Sequence, residues 1–213
     1  QWWAMGQELC EREPAFRSAV QSADQAFERA AGWSVLREMQ RGESDSRMRS
    51  NAIAQPANFV LQVGLVSMLR ALGVPAHGLL GHSVGELGAA WAAGCLSLEQ
   101  AAYVAYHRSR LQQTVAGQGT MLATALSPSE ARRLLAGRPE VSIAALNAPK
   151  SVTLAGTHEA LASLATELTR QGVFNKLMPV EVAYHSAQMA PLEADFASAL
   201  GELAPREPEL PLY

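Results

Sequence analysis

The tightest constraint on this chain is five residues long: Gly81-His82-Ser83-Val84-Gly85. A short apolar run, Gly78-Leu79-Leu80, leads into it, and an Ala-rich segment from Glu86 to Ala93 follows. The order reads as buried strand, tight turn and helix, with a serine at the turn, and it fits the G-x-S-x-G nucleophile elbow. The flanking glycines permit close backbone approach and the hydroxyl is lifted clear of its neighbours. The helix N-terminus then aims N–H groups, that of Val84 among them, at the place where negative charge would develop. The competing reading is a Gly-rich turn with an idle serine; the strand–turn–helix setting weakens it.

The rest of the chain supplies a body for that turn. Residues 5–32 are helix-like, 42–50 are polar and loop-like, and Gln55 to Leu72 is a predicted helix with Pro56 in its first turn and Gly73 and Pro75 as its stop. Ser97-Leu98-Glu99-Gln100 has the form of a helix start with a capping-box partner, and that helix runs to about Gln113. After Gly117 the rhythm changes. Strands are predicted at Met121–Leu126, Val141–Leu146, Ser151–Ala155 and within Val173–Val182, with helices from Ser127 and from Thr157 to Gln171. That order, βαββαβ, is the ferredoxin-like pattern. The predicted fold is α/β: a hydrolase-like large subdomain with a parallel sheet over 1–118 and 184–213, and an inserted ferredoxin-like small subdomain over 119–183. The chain reads as cut at both ends, since it lacks an initiator Met and closes on a Pro-rich lead toward another strand, Pro205 to Tyr213.

Composition narrows the function. With 17 basic and 20 acidic residues the net charge is −3, and the arginines are scattered, so nothing favours a nucleic-acid partner. No apolar run is read as approaching the ~18 residues of a membrane span, and Gln1-Trp2-Trp3 does not open a signal peptide, so a soluble cytoplasmic chain is expected. Cys10 and Cys95 have neither a disulfide framework nor metal-ligand spacing, and no metal is expected.

A serine needs a proton acceptor. Of five histidines, His82 adjoins the serine and consecutive side chains point apart; His77, His107 and His158 read as surface or packing residues. His185, in Val182-Ala183-Tyr184-His185-Ser186, follows the last predicted strand, where loops often hold catalytic groups. No aspartate lies between Ser83 and His185. A hydrolase-type Ser–acid–His triad is thereby weakened, though glutamates remain, and a Ser83–His185 dyad fits more simply.

Taken in order, these residues resemble the malonyl-CoA:acyl-carrier-protein transacylases and the acyltransferase domains of modular polyketide synthases. The carriers are Gly81 to Glu86; Gln55 in Ala54-Gln55-Pro56-Ala57; Arg108, 25 residues after Ser83; Asn147-Ala148-Pro149 before Val152 to Gly156; and Tyr184-His185-Ser186. Gln1 to Gly6 is similar to the tail of the family's N-terminal Gly-Gln-Gly-x-Gln segment. The first glutamine of that segment, the family's second oxyanion donor, is missing here, so a poor catalyst is expected of this segment by itself. The resemblance implies covalent catalysis by Ser83 and His185 and an Arg108 that pairs with the acyl carboxylate. Gln55, His82, Val84, Asn147, Val182 and Tyr184 would line the substrate site. It implies malonyl-CoA as donor, no permanently bound cofactor, and an acyl carrier protein with its phosphopantetheine thiol as acceptor. The ketosynthase and the other domains of the same synthase would be partners. Tyr184 and Val84 favour malonyl over methylmalonyl, whereas Val182 fits neither usual pattern. A serine esterase or thioesterase, or an inactive structural domain of a synthase, are the alternatives.

Overall fold

The computed structural model describes all 213 residues. They form two compact units, one of 1–110 with 196–213 and one of 111–195.

In the larger unit the regular elements are helical: α1 (Gln7–Arg12), α2 (Pro14–Ala31), α3 (Val35–Met39), α4 (Asn51–Ala71), α5 (Gly85–Ala92) and most of α6 (Leu98–Gln113). The single helix expected over 5–32 is two, because Pro14 begins α2 and the residue before a proline is driven out of the helical region; Glu13 is extended. On α2 the buried residues Phe16, Val20, Ala23 and Phe27 recur at helical spacing and face α4. The two helices approach closely at Gly64, where an added Cβ would lie 2.5 Å from the Phe16 ring. Phe16, Phe27 and Phe59 are fully buried, each side chain stabilising the fold by about 2–3 kcal/mol through area removed from water. Asp24 is buried beneath this cluster, accepting from Ser34 Oγ at 2.7 Å and from the Leu36 amide at 2.9 Å at the start of α3.

Helix α4 begins at Asn51, earlier than expected, and Pro56 lies inside it. Pro56 removes one helical hydrogen bond without ending the helix, and the first turn is held from outside by Asn51, whose side chain reaches α6. Contrary to the sequence reading, α4 is long and apolar enough to cross a membrane by length and composition. Here its Ile53, Phe59, Val60 and Val63 are buried in the core of this unit.

The parallel sheet expected in this unit is reduced to one bridge. Leu79 pairs in parallel with Leu212, the Leu79 amide donating to Pro211 O at 2.8 Å and the Tyr213 amide to Leu79 O at 2.9 Å. A three-residue run before a tight turn offers backbone groups for little more, and the chain end supplies the partner. The start of α6 is closed as anticipated, Ser97 Oγ accepting from the Gln100 amide at 3.2 Å and Gln100 Oε1 from the Ser97 amide at 2.9 Å.

The smaller unit holds β1 (Thr120–Thr124), α7 (Pro128–Leu134), β2 (Val141–Ala148), β3 (Ser151–Gly156), α8 (His158–Arg170) and β4 (Asn175–Leu177). The strands form one sheet in the order β2-β3-β1-β4 with antiparallel pairs throughout. Strand alternation sorts the apolar residues by face. Leu122, Val152 and Leu154 pack with Leu161, Leu164 and Leu168 of α8, while Met121 and Ala155 pack with Ala183, Val180 and Tyr184. This unit is wider than the predicted 119–183 because its flanks bond to it. The Gly117 amide donates to Glu181 O at 2.7 Å, and Gln188 Nε2 donates to Gln118 O at 3.3 Å. A short helix, α9 (Glu193–Ala199), spans the second boundary between the units.

Candidate active site

Ser83 sits between the Leu79 bridge and α5 with a φ of 53°, a left-handed backbone. A non-glycine residue there costs about 1–2 kcal/mol. It is held there by its surroundings. The Gly85 amide donates to His82 O at 2.9 Å and the Glu86 amide to Ser83 O at 3.0 Å, which closes the turn. At Gly81 a Cβ would fall 2.3 Å from Glu86 Cα and 2.6 Å from its nitrogen, so only glycine lets the chain pass this close to α5. At Gly88 a Cβ would meet Gln62 Oε1 at 2.4 Å, so α5 also lies tightly on α4.

Ser83 opens into a cavity of about 280 Å³ lined by Gln55, Ser83, Val84, Glu86, Leu87, Val104, Ala105, Arg108 and Phe196. Four of the residues singled out in the sequence, Gln55, Ser83, Val84 and Arg108, thus share one concavity of the larger unit. Gln55 comes from α4, the serine from the turn before α5, and Arg108 from α6. Gln55 is buried and gives its Nε2 to Asn51 Oδ1 at 2.5 Å. His82 is exposed beside the serine and is not among the lining residues. Sequence reasoning missed Leu87, Val104, Ala105 and Phe196. Val104 and Ala105 were within reach of it, lying one helical turn before Arg108; Phe196 carried no signal. Next to Arg108, His107 packs between Tyr103 and Tyr106 with ring centroids 4.2 and 4.9 Å away. Burial, then the charge of Arg110, hold its basicity below that of an ordinary histidine.

The remaining candidates belong to the smaller unit. His185 is exposed, with a φ of 57°. Its turn is closed by Ser186 Oγ donating to Ala183 O at 2.7 Å, with the Gln188 amide donating back to Ser186 Oγ at 3.3 Å. Val182 and Ala183 are fully buried and Tyr184 is half-buried, which roots the turn on the sheet. Asn147, at the exposed end of β2, donates Nδ2 to Thr153 Oγ1 at 2.9 Å. No group of three or more His, Cys, Asp or Glu side chains is arranged to hold a metal, and Cys10 and Cys95 are not bridged.

The sequence pattern of the family described as "Acyl transferase domain" matches residues 1–213. The chain is 39% identical over 213 residues to fumosorinone synthetase of Cordyceps fumosorosea, covering 94% of this chain and 5% of that protein. It is 37% identical over 216 residues to the highly reducing polyketide synthase sdnO of Sordaria araneosa, covering 97% and 7%. The chain therefore spans a small fraction of these relatives' length. Among solved structures, a loading acyltransferase from the avermectin modular polyketide synthase superposes with a TM-score of 0.95 at 33% identity, over all of this chain and 69% of that one. A strained serine over an arginine-bearing cavity and these three likenesses converge: the chain belongs to the acyl transferase domain family, in the form built into polyketide synthases.

Proposed function

We propose that this domain moves a malonyl-type acyl group from coenzyme A to the phosphopantetheine thiol of an acyl carrier protein, through an ester on Ser83. The observation that carries the reading is the shared cavity: a left-handed serine at the start of α5, with Arg108 and Gln55 in the same concavity. Ser83 Oγ attacks the thioester carbonyl while His185 takes its proton. The tetrahedral oxyanion is stabilised by backbone amides, that of Val84 among them. Coenzyme A then leaves as the thiol, and the carrier's thiol attacks the acyl-serine with His185 again as base. Arg108 is the only lining residue with a cationic side chain. A guanidinium pairs with a carboxylate through two parallel N–H donors, and it discriminates against an acyl group that leaves those donors without their partner. Malonyl is favoured over methylmalonyl by the bulk of Tyr184 beside His185. The larger unit is read as the hydrolase-like subdomain and the smaller as a ferredoxin-like insert. The ketosynthase and other domains of one soluble, cytoplasmic synthase are its partners, with no resident cofactor.

Intact-mass measurement after incubation with malonyl-CoA tests this. A malonyl adduct that vanishes in Ser83→Ala is expected, with Arg108→Ala lowering malonyl labelling about a hundredfold and leaving acetyl labelling within a few-fold. Hydrolysis outrunning transfer to a carrier protein would favour an esterase, and preferential methylmalonyl loading would refute the extender assignment.

A further inference from the structure

The chain has five phenylalanines. Phe16, Phe27 and Phe59 are buried in the core of the larger unit, and Phe174 is exposed on the smaller one. Phe196 belongs to neither class. It is half-buried, it stands outside the hydrophobic clusters of both units, and it lines the cavity into which Ser83 opens. A large aromatic residue that serves no core and borders a cavity is available to shape what enters it. Its segment is tied to α6, where Tyr103 Oη donates to Ala199 O at 3.2 Å, three residues beyond Phe196 on α9. The same stretch of α6 brings Val104 and Ala105 to the cavity, one turn before Arg108.

We propose that Phe196 is a specificity-determining residue for the acyl group: it limits the size of the substituent on the carbon between the thioester and the free carboxylate. The proposal rests on reading this cavity as the acyl-CoA site. In that reading the thioester carbonyl goes to Ser83 and the carboxylate to Arg108, so both ends of a malonyl unit are committed. A substituent on the carbon between them is left with the apolar lining, which is Val84, Leu87, Val104, Ala105 and Phe196. Of these Phe196 is the largest and the only aromatic. The cavity holds about 280 Å³, and a bulky side chain at its wall leaves little of that for a branch on the acyl unit. Ala105 is buried in the core and Leu87 packs against it, whereas Phe196 can change without emptying the core. Tyr184, the extender determinant read from the sequence, belongs to the smaller unit; Phe196 is a second one, carried by the larger unit.

The test compares two donors in the full-length enzyme: kcat/KM for acyl-serine formation from malonyl-CoA and from ethylmalonyl-CoA, with thermal unfolding of each variant alongside. The ratio of the two constants is unmoved by a loss of folded enzyme, which scales both alike. Phe196→Ala is expected to raise the ethylmalonyl-to-malonyl ratio about tenfold, with an unfolding midpoint near that of the wild type. Phe196→Leu removes less bulk and is expected to raise the ratio about threefold; it carries the test if the alanine variant does not fold. A ratio that stays within about twofold of the wild type in the folded variants, or falls, overturns the proposal and leaves the function reading intact. A wild type that forms no malonyl-serine overturns both.

Discussion

The larger and smaller units hold a left-handed residue in place by opposite means. In the helical unit, Ser83 is pinned by contact: Gly81 lets the chain lie against Glu86, and two amide bonds close the turn onto α5. In the sheet unit, His185 sits on an exposed turn rooted by buried neighbours, Val182 and Ala183, with Ser186 Oγ donating to Ala183 O. The first arrangement fixes the backbone of Ser83 against α5, which under the proposed mechanism holds the attacking hydroxyl in place. The second leaves the His185 imidazole exposed, as the proposed proton acceptor would be. The same left-handed backbone thus goes with close packing in one unit and with an exposed turn in the other.

Removing the imidazole is the most severe way to test that contrast. If His185 is the proposed base, His185→Ala is expected to slow acylation of Ser83 by about a thousandfold with little change in unfolding temperature, since the side chain is exposed. Stopped-flow or quenched labelling checks it; a loss of only a few-fold would remove His185 as the base. Gly81→Ala reads the other half of the comparison. Its Cβ would overlap the α5 backbone, so about 2–3 kcal/mol of stability and roughly a hundredfold in acylation are expected to go together. Denaturant unfolding and labelling of the same sample separate the two. A stable, fully active Gly81→Ala enzyme would show that the elbow is less tightly held than this geometry requires.

The smallest effect concerns the polar anchor of the larger unit. Glu38 is nearly buried and accepts from Arg47 through Nε at 2.8 Å and through a second guanidinium nitrogen, with Arg41 bonded to it as well. Hydrogen bonding by Arg47, opposed by burial and aided by Arg41, holds its carboxyl below the ordinary value of 4.5. A depressed folded-state value means the stabilisation is present above the unfolded value and is lost as pH falls through the folded one. The unfolding midpoint is therefore expected to drop as pH is lowered below about 4.5, and Glu38→Gln to flatten that part of the profile. Melting curves across pH 3–6 decide it. Unchanged acylation at pH 7 in a well-folded Glu38→Gln enzyme would keep this anchor distinct from the site.

The sequence by itself determined what depends on near neighbours. Gly81 to Gly85 announced a strained serine before a helix, because flanking glycines and an Ala-rich run are local signals. Ser97 with Gln100 and Ser127 with Glu130 announced helix starts, because their partners lie three residues away. The alternation of strand and helix from β1 to β4 was likewise legible, since each element carries its own period. Tertiary structure decided what depends on distance along the chain. That α4 starts at Asn51 rather than near Pro56 follows from a bond to Ser109, 58 residues on. That Gln55, Ser83, Arg108 and Phe196 line one cavity follows from how four separate segments pack around it. Periodicity and capping encode short-range energies, whereas a buried amide takes its orientation from whichever carbonyl the folded chain brings against it, and no local pattern specifies that carbonyl.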